Sequence, residues 1–110
     1  MEKRTLSEKE LLLYQAVIEL LDEGMEVHQI KVSDITNRAG VGKGTAYEYF
    51  SSKEEMIAKA IYWHGNQRFL ELVENLKGQK SLKDQLMEVF NFIENVVYKD
   101  NGCRQLFKLP

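Results

Sequence analysis

Apolar residues recur along this chain at intervals of three and four, the spacing of helices that bury one face, and nowhere sustain the alternation of a half-buried strand. Leu11, Tyr14, Val17, Ile18 and Leu21 make the first such face. It opens at Ser7, whose hydroxyl can cap a free backbone N–H while Glu10 closes a capping box and Leu6 meets Leu11 as a hydrophobic staple. Gly24 supplies a stop, so the pattern predicts a helix from about Ser7 to Asp22. The stretch Val27-His28-Gln29-Ile30-Lys31-Val32 could alternate as a short strand, but nothing of similar strength exists to pair with it, and it reads as a linker. A short helix follows, with Ser33 or the residue before it near the cap, Ile35 and Ala39 on its inner face and Gly40 ending it. A second, from Lys43 to Phe50, sets Ala46 and Phe50 on one face, to pack on Ile35, Ala39 and Val41. Two short helices joined by a glycine-containing turn form a helix-turn-helix.

Ser52 with Glu55 offers the next capping box, and the pattern it opens runs unbroken to about Lys77. At 1.5 Å per residue that helix is about 37 Å long, more than the small cluster before it can cover. Its stripe of Ile57, Ile61, Phe69, Leu72, Val73 and Leu76 therefore needs a second packing surface. Ser81 begins the last helix, expected to bury Leu82, Leu86, Val89, Phe90, Ile93, Val96 and Val97 and to end near Asn101-Gly102. The chain is thus expected to be all-α, with a helix-turn-helix unit over residues 1–52 and, over 53–110, a linking helix with the start of a second unit.

Composition narrows the class. A length of 110 residues allows one compact domain, and 44% hydrophobic with 29% charged residues of both signs is that of a packed globule, not a disordered tail. No run of about 18 apolar residues could span a membrane, and Met1-Glu2-Lys3-Arg4-Thr5 is followed by no apolar secretory segment, so a cytoplasmic protein is expected. The single Cys103 can form no internal disulfide. A net charge of −2 rules out a uniformly basic nucleic-acid coat.

Local charge runs the other way. Between Lys31 and Lys53, the cations Lys31, Arg38, Lys43 and Lys53 outnumber Asp34 and Glu48. Projected at about 100° per residue, the helix from Lys43 turns Gly44, Thr45 and Glu48 away from Ala46 and Phe50, with Tyr47 and Tyr49 at the two edges. Small and hydrogen-bonding groups then face outward, suited to a groove floor, and two phenols reach toward the flanking strands. Lys43 and Lys53 each stand at a helix start, where backbone N–H groups add attraction for phosphate. The plainer alternative makes the tyrosines half-buried packing residues with wet hydroxyls, and Glu48 a solvated side chain that phosphates would repel.

At these residues the sequence resembles a known family. Val32-Ser33-Asp34-Ile35, Ala39-Gly40-Val41, Lys43-Gly44-Thr45, Tyr47-Glu48-Tyr49-Phe50 and Ser52-Lys53-Glu54-Glu55-Met56 are similar, in order and spacing, to the DNA-binding module of TetR-family transcriptional regulators. The resemblance covers about Ser7 to Ala60. It implies an all-helical, homodimeric regulator, usually a repressor, whose N-terminal three-helix domain binds a double-stranded DNA operator. A small-molecule inducer in a C-terminal domain would shift the spacing of the recognition helices through the long fourth helix. By position, Ser33 joins the DNA-binding set, Lys43, Tyr47, Tyr49 and Lys53 would contact phosphates, and Gly44, Thr45 and Glu48 would approach base edges. The sequence departs from the family at Ala46, where a larger residue is usual, and in length, since members are typically much longer. A truncated, fragmentary or shortened member is expected.

Other features weigh less. Lys3 and Arg4 could form a DNA-reaching arm or a frayed terminus. Trp63, His64, Arg68 and Phe69 lie where the family's ligand domain begins and could line part of a pocket, or could be core on a long amphipathic helix. His28 and His64 lack companions at ligand spacing, and Cys103 lacks a base, so neither a metal, a cofactor nor an enzyme activity is expected. Two rival readings are a protein-interaction module that pairs with a full-length regulator through its apolar stripes, and a small-molecule sensor with ligand between the fourth and fifth helices.

Overall fold

A computed structural model of the chain describes residues 6–78 and 81–99. The helices are α1 (Glu8–Asp22), α2 (Val32–Ala39), α3 (Lys43–Tyr49), α4 (Lys53–Lys77) and α5 (Leu82–Glu94). A single 3-10 turn, Val27–Gln29, precedes α2, and α5 continues into a π-helical turn at Asn95–Lys99. Among the described residues there is no strand. Lys3, Arg4, Cys103 and the expected helix end at Asn101-Gly102 lie outside the described residues.

The core belongs to α1. Leu13, Val17 and Leu21 are fully buried against α2 and α4, together with Ile35, Met56, Ile57 and Ile61. Because α1 is packed from more than one side, its buried arc is wider than one amphipathic stripe. Leu13, Ala16 and Leu20, not part of the expected face, are buried, whereas Leu11 is only half-buried. Each large aliphatic side chain so enclosed contributes about 1.5–3 kcal/mol.

The segment read as a linker does more than connect. Gln29 Oε1 accepts the Glu26 backbone N–H at 3.0 Å, closing the 3-10 turn, and Ile30 follows it fully into the core.

Caps fix where the helices begin. Ser7 Oγ accepts the Glu10 N–H at 3.1 Å and Glu10 Oε1 accepts the Ser7 N–H at 3.3 Å, the expected reciprocal box. Ser52 Oγ accepts the Glu55 N–H at 3.1 Å, but the Glu55 carboxylate turns to Ser51, whose hydroxyl donates to it at 2.8 Å. The cap of α2 is Lys31, not Ser33 or its neighbour. There the Asp34 carboxylate accepts the Lys31 backbone N–H at 3.0 Å, which draws the helix start one or two residues earlier and leaves Ser33 inside the first turn. Gly40 ends α2 at φ 70°, and the Val41 N–H donates back to the Thr36 carbonyl at 3.1 Å.

Beyond Ile61 the sequence expectation and the structure part. No residue of α5 is buried. Leu82, Leu86, Phe90 and Ile93, expected inside, are 72%, 48%, 62% and 46% exposed. Val89 and Val96 are half-buried, as are Leu72, Val73 and Leu76, while Phe69 is exposed. The helical periodicity was read correctly, but one helix laid against another buries only one side of each, so the outer side of α5 has nothing over it among the described residues.

Candidate nucleic-acid interface

The turn between α2 and α3 and the residues that plug α3 into the core decide what α3 presents. Ala46 is fully buried, Phe50 is 2% exposed and Val41 is 8% exposed, so the inner line of the helix is Val41, Ala46 and Phe50. Phe50 caps the C-terminus of α3, its ring centroid 5.7 Å from that of Tyr14 and with the Lys59 ammonium 5.9 Å from its centroid. The small side chain at position 46 leaves no exposed gap, because α3 lies close enough for Ala46 to be sealed completely.

With that line inward, Gly42, Lys43, Gly44, Tyr47 and Glu48 are exposed and Thr45 is half-buried. Tyr47 stands 51% exposed, whereas Tyr49 is half-buried against the core, its ring 6.4 Å from Phe50. The two phenols, expected as an equivalent pair, are therefore unequal. Gly42 caps α3 in extended backbone, and no side chain occupies the space where its Cβ or that of Gly44 would stand. The start of the recognition-type helix is thus open to a large rigid surface.

Lys53 opens α4 directly after α3, half-buried along its stem, with its ammonium 3.9 Å from Glu54. Ser33 is half-buried in the first turn of α2 and its carbonyl accepts the Thr36 hydroxyl at 3.3 Å. Glu55 holds the α3–α4 corner. The hydrogen bond from the Ser51 hydroxyl keeps its carboxyl below the ordinary carboxylate value, with Lys59 at 3.5 Å adding to the effect. An exposed polar face on a short helix, flanked by lysines at two helix starts, can lie against a phosphate-lined groove. Among the described residues no group of His, Cys, Asp and Glu is placed to hold a metal ion, and no helix is long and apolar enough to cross a membrane.

The model of a family described as bacterial regulatory proteins, tetR family, matches residues 16–60 of this chain. The fatty acid metabolism regulator protein of Bacillus subtilis (strain 168) is 30% identical over 83 residues, covering 76% of this chain and 42% of that protein. An uncharacterized HTH-type transcriptional regulator of the same organism, YvdT, is 37% identical over 57 residues, covering 52% of this chain and 28% of that protein. Residues 16–60 are thus a tetR-family segment. It spans under half the length of these two curated relatives. No solved structure matches it.

The tetR-family segment runs from inside α1 to Ala60 of α4 and so contains all of α2 and α3. The residues considered for a ligand pocket lie on the following turns of α4 and are not gathered into one site. Trp63 packs on the core with its ring 5.8 Å from Tyr14, His64 is half-buried and Phe69 is 46% exposed. Arg68 alone of the residues considered lines a cleft between α4 and α5, with Glu71, Asn75, Asn91 and Asn95 and with Phe92 among its apolar walls. Arg38, counted in the local excess of cations, is paired with carboxylates from outside that stretch. Arg38 is bound by Glu23, the C-cap of α1, and approached by Glu19 in the last turn of α1. Two glutamates four apart on the polar side of α1 were the signal for it.

Proposed function

We propose that this chain is a sequence-specific DNA-binding transcriptional regulator that reads duplex DNA with the outward face of α3. The observation that carries the reading is the sealing of Ala46 and Phe50, which leaves Lys43, Gly44, Tyr47 and Glu48 outward beside Lys53. In this reading Lys43, Lys53, Tyr47 and the hydroxyls of Tyr49 and Ser33 hold phosphates, while Gly44, Thr45 and Glu48 approach base edges in the major groove. The family match and the regulators it resembles support the same class of function.

The regulator acts as a homodimer in the cytoplasm, with recognition helices in successive major grooves about 34–36 Å apart on a pseudo-palindromic operator. The exposed apolar line of Leu82, Leu86, Phe90 and Ile93 supports a protein-covered second half. It acts as a repressor released by a small molecule bound in that half, the effect reaching DNA through α4, which joins the two regions. Selection from a random duplex pool tests the proposal. Enrichment of inverted repeats with half-sites one helical turn apart is expected, and recovery of no common sequence would contradict it.

A further inference from the structure

In the helix-turn-helix region a two-armed ion pair ties the end of α2 to the end of α1. Arg38 lies in the last turn of α2, two residues before the Gly40 turn that aims α3. Its guanidinium grips the Glu23 carboxylate with both arms, Nη1 to Oε2 and Nη2 to Oε1, the latter at 2.9 Å, and Nη1 lies 3.7 Å from Glu19 Oε1. Glu23 caps the C-terminus of α1 and Glu19 stands one turn earlier. The planar fork fixes orientation as well as distance, which an ammonium could not do.

Around α2, Val32, Ile35, Thr36 and Ala39 fall on the α1-facing side, and Ser33 and Asn37 fall on the outward side, one turn apart. Arg38 sits between the two, on the edge beside α1. The apolar contacts hold α2 down on α1. A bidentate pair at the far end of α2 adds a directional restraint on its orientation. The α3 that follows is only seven residues long and is seated by Val41, Ala46 and Phe50 with Tyr49 partly packed beside them, so a small rotation of the α2 end is passed to it.

We propose that Arg38, with Glu23 and Glu19, is a positioning clamp that sets the angle of α3 and does not itself contact phosphate. The inference rests on the DNA-binding reading above. Its consequence runs against net charge: removing the negative charge of Glu23 weakens DNA binding, although removing an anion from any protein ordinarily favours association with DNA.

The test uses the full chain, a mixed-sequence duplex and fluorescence anisotropy across a salt series, with circular dichroism to check folding. Glu23→Gln, Arg38→Gln and Arg38→Lys are each expected to raise Kd by about three- to tenfold, as groups in one network couple. The slope of log K against log salt should stay within experimental error of the unaltered chain, because no phosphate contact is lost. The exchanged pair Glu23→Arg with Arg38→Glu should recover most of the affinity. A slope reduced by about 0.9 in Arg38→Gln, with Arg38→Lys binding normally, would make Arg38 a phosphate ligand and overturn the clamp. Tighter binding by Glu23→Gln, or no change in any variant, would overturn it too. Failure of the unaltered chain to bind any duplex would instead sink the DNA-binding reading and this inference with it. If a Gln variant does not fold, Arg38→Lys and the exchanged pair decide the question.

Discussion

Phe50→Leu separates the residue that seats α3 from a phenylalanine that seats nothing. The Phe50 ring is 2% exposed, 5.7 Å from Tyr14, and lies under the Lys59 ammonium at 5.9 Å. Leucine keeps the site apolar but removes the aromatic pairing, about 0.5–1.5 kcal/mol, and leaves a small void costing a further ~0.5 kcal/mol. The expected loss is about 1–2 kcal/mol, which in a domain of this size lowers Tm by about 5–15 °C. Phe69→Leu is the control, since that ring is 46% exposed and should change stability by no more than about 0.5 kcal/mol. Thermal unfolding followed by far-UV circular dichroism reads both. If Phe50→Leu melts within about 2 °C of the parent, or Phe69→Leu costs as much, the seating of α3 has been misread.

Lys43→Ala and Lys53→Ala should each weaken binding to all duplexes alike and flatten the salt slope by about 0.9, whereas substitution of Thr45 should change the preferred base by about 1–3 kcal/mol, both read by anisotropy on a panel of duplexes. Ser52→Ala removes the acceptor for the Glu55 N–H and should cost about 1 kcal/mol in urea unfolding, with no new cavity to add to it. Gly40→Ala should cost about 1–2 kcal/mol: at φ 70° a Cβ meets nothing within 4 Å, so the whole loss is backbone strain. Because the folded-state pKa of Glu55 is lowered, its carboxylate stabilises the fold above the ordinary carboxylate value and loses that effect as pH falls. Glu55→Gln should therefore be less stable than the parent near pH 7, and the difference should close below about pH 4 in melts across that range.

The helix-turn-helix was legible in the chain because its signals are local. Gly40, the Ala46–Phe50 interval and the Ser7 and Ser52 caps each act within one or two turns, and each stands where the spacing placed it. What failed were properties of neighbours distant in sequence. Leu13 and Leu20 are buried because α1 has more than one helix against it, and Ile30 is buried because a 3-10 turn delivers it, neither of which periodicity encodes. On α5 the stripe was visible but its cover was not, since an apolar face specifies burial without naming a partner. In the candidate site, the exposure of Gly44 and Glu48 followed from a helical projection, whereas Thr45, expected outward with them, is half-buried. The unequal exposure of Tyr47 and Tyr49 and the capture of Arg38 by Glu23 depend on how α3 and α1 lie in space.

The central claim is that the polar side of α3 meets nucleotides. Amide chemical shifts of the isotope-labelled chain, titrated with a short duplex, test it residue by residue. The account predicts that Lys43, Gly44, Thr45, Tyr47, Glu48 and Lys53 move together and saturate together, while Leu13 and Ala16 in the middle of α1 stay in place. Shifts confined to α5, or none in α3 at saturating duplex, would contradict it.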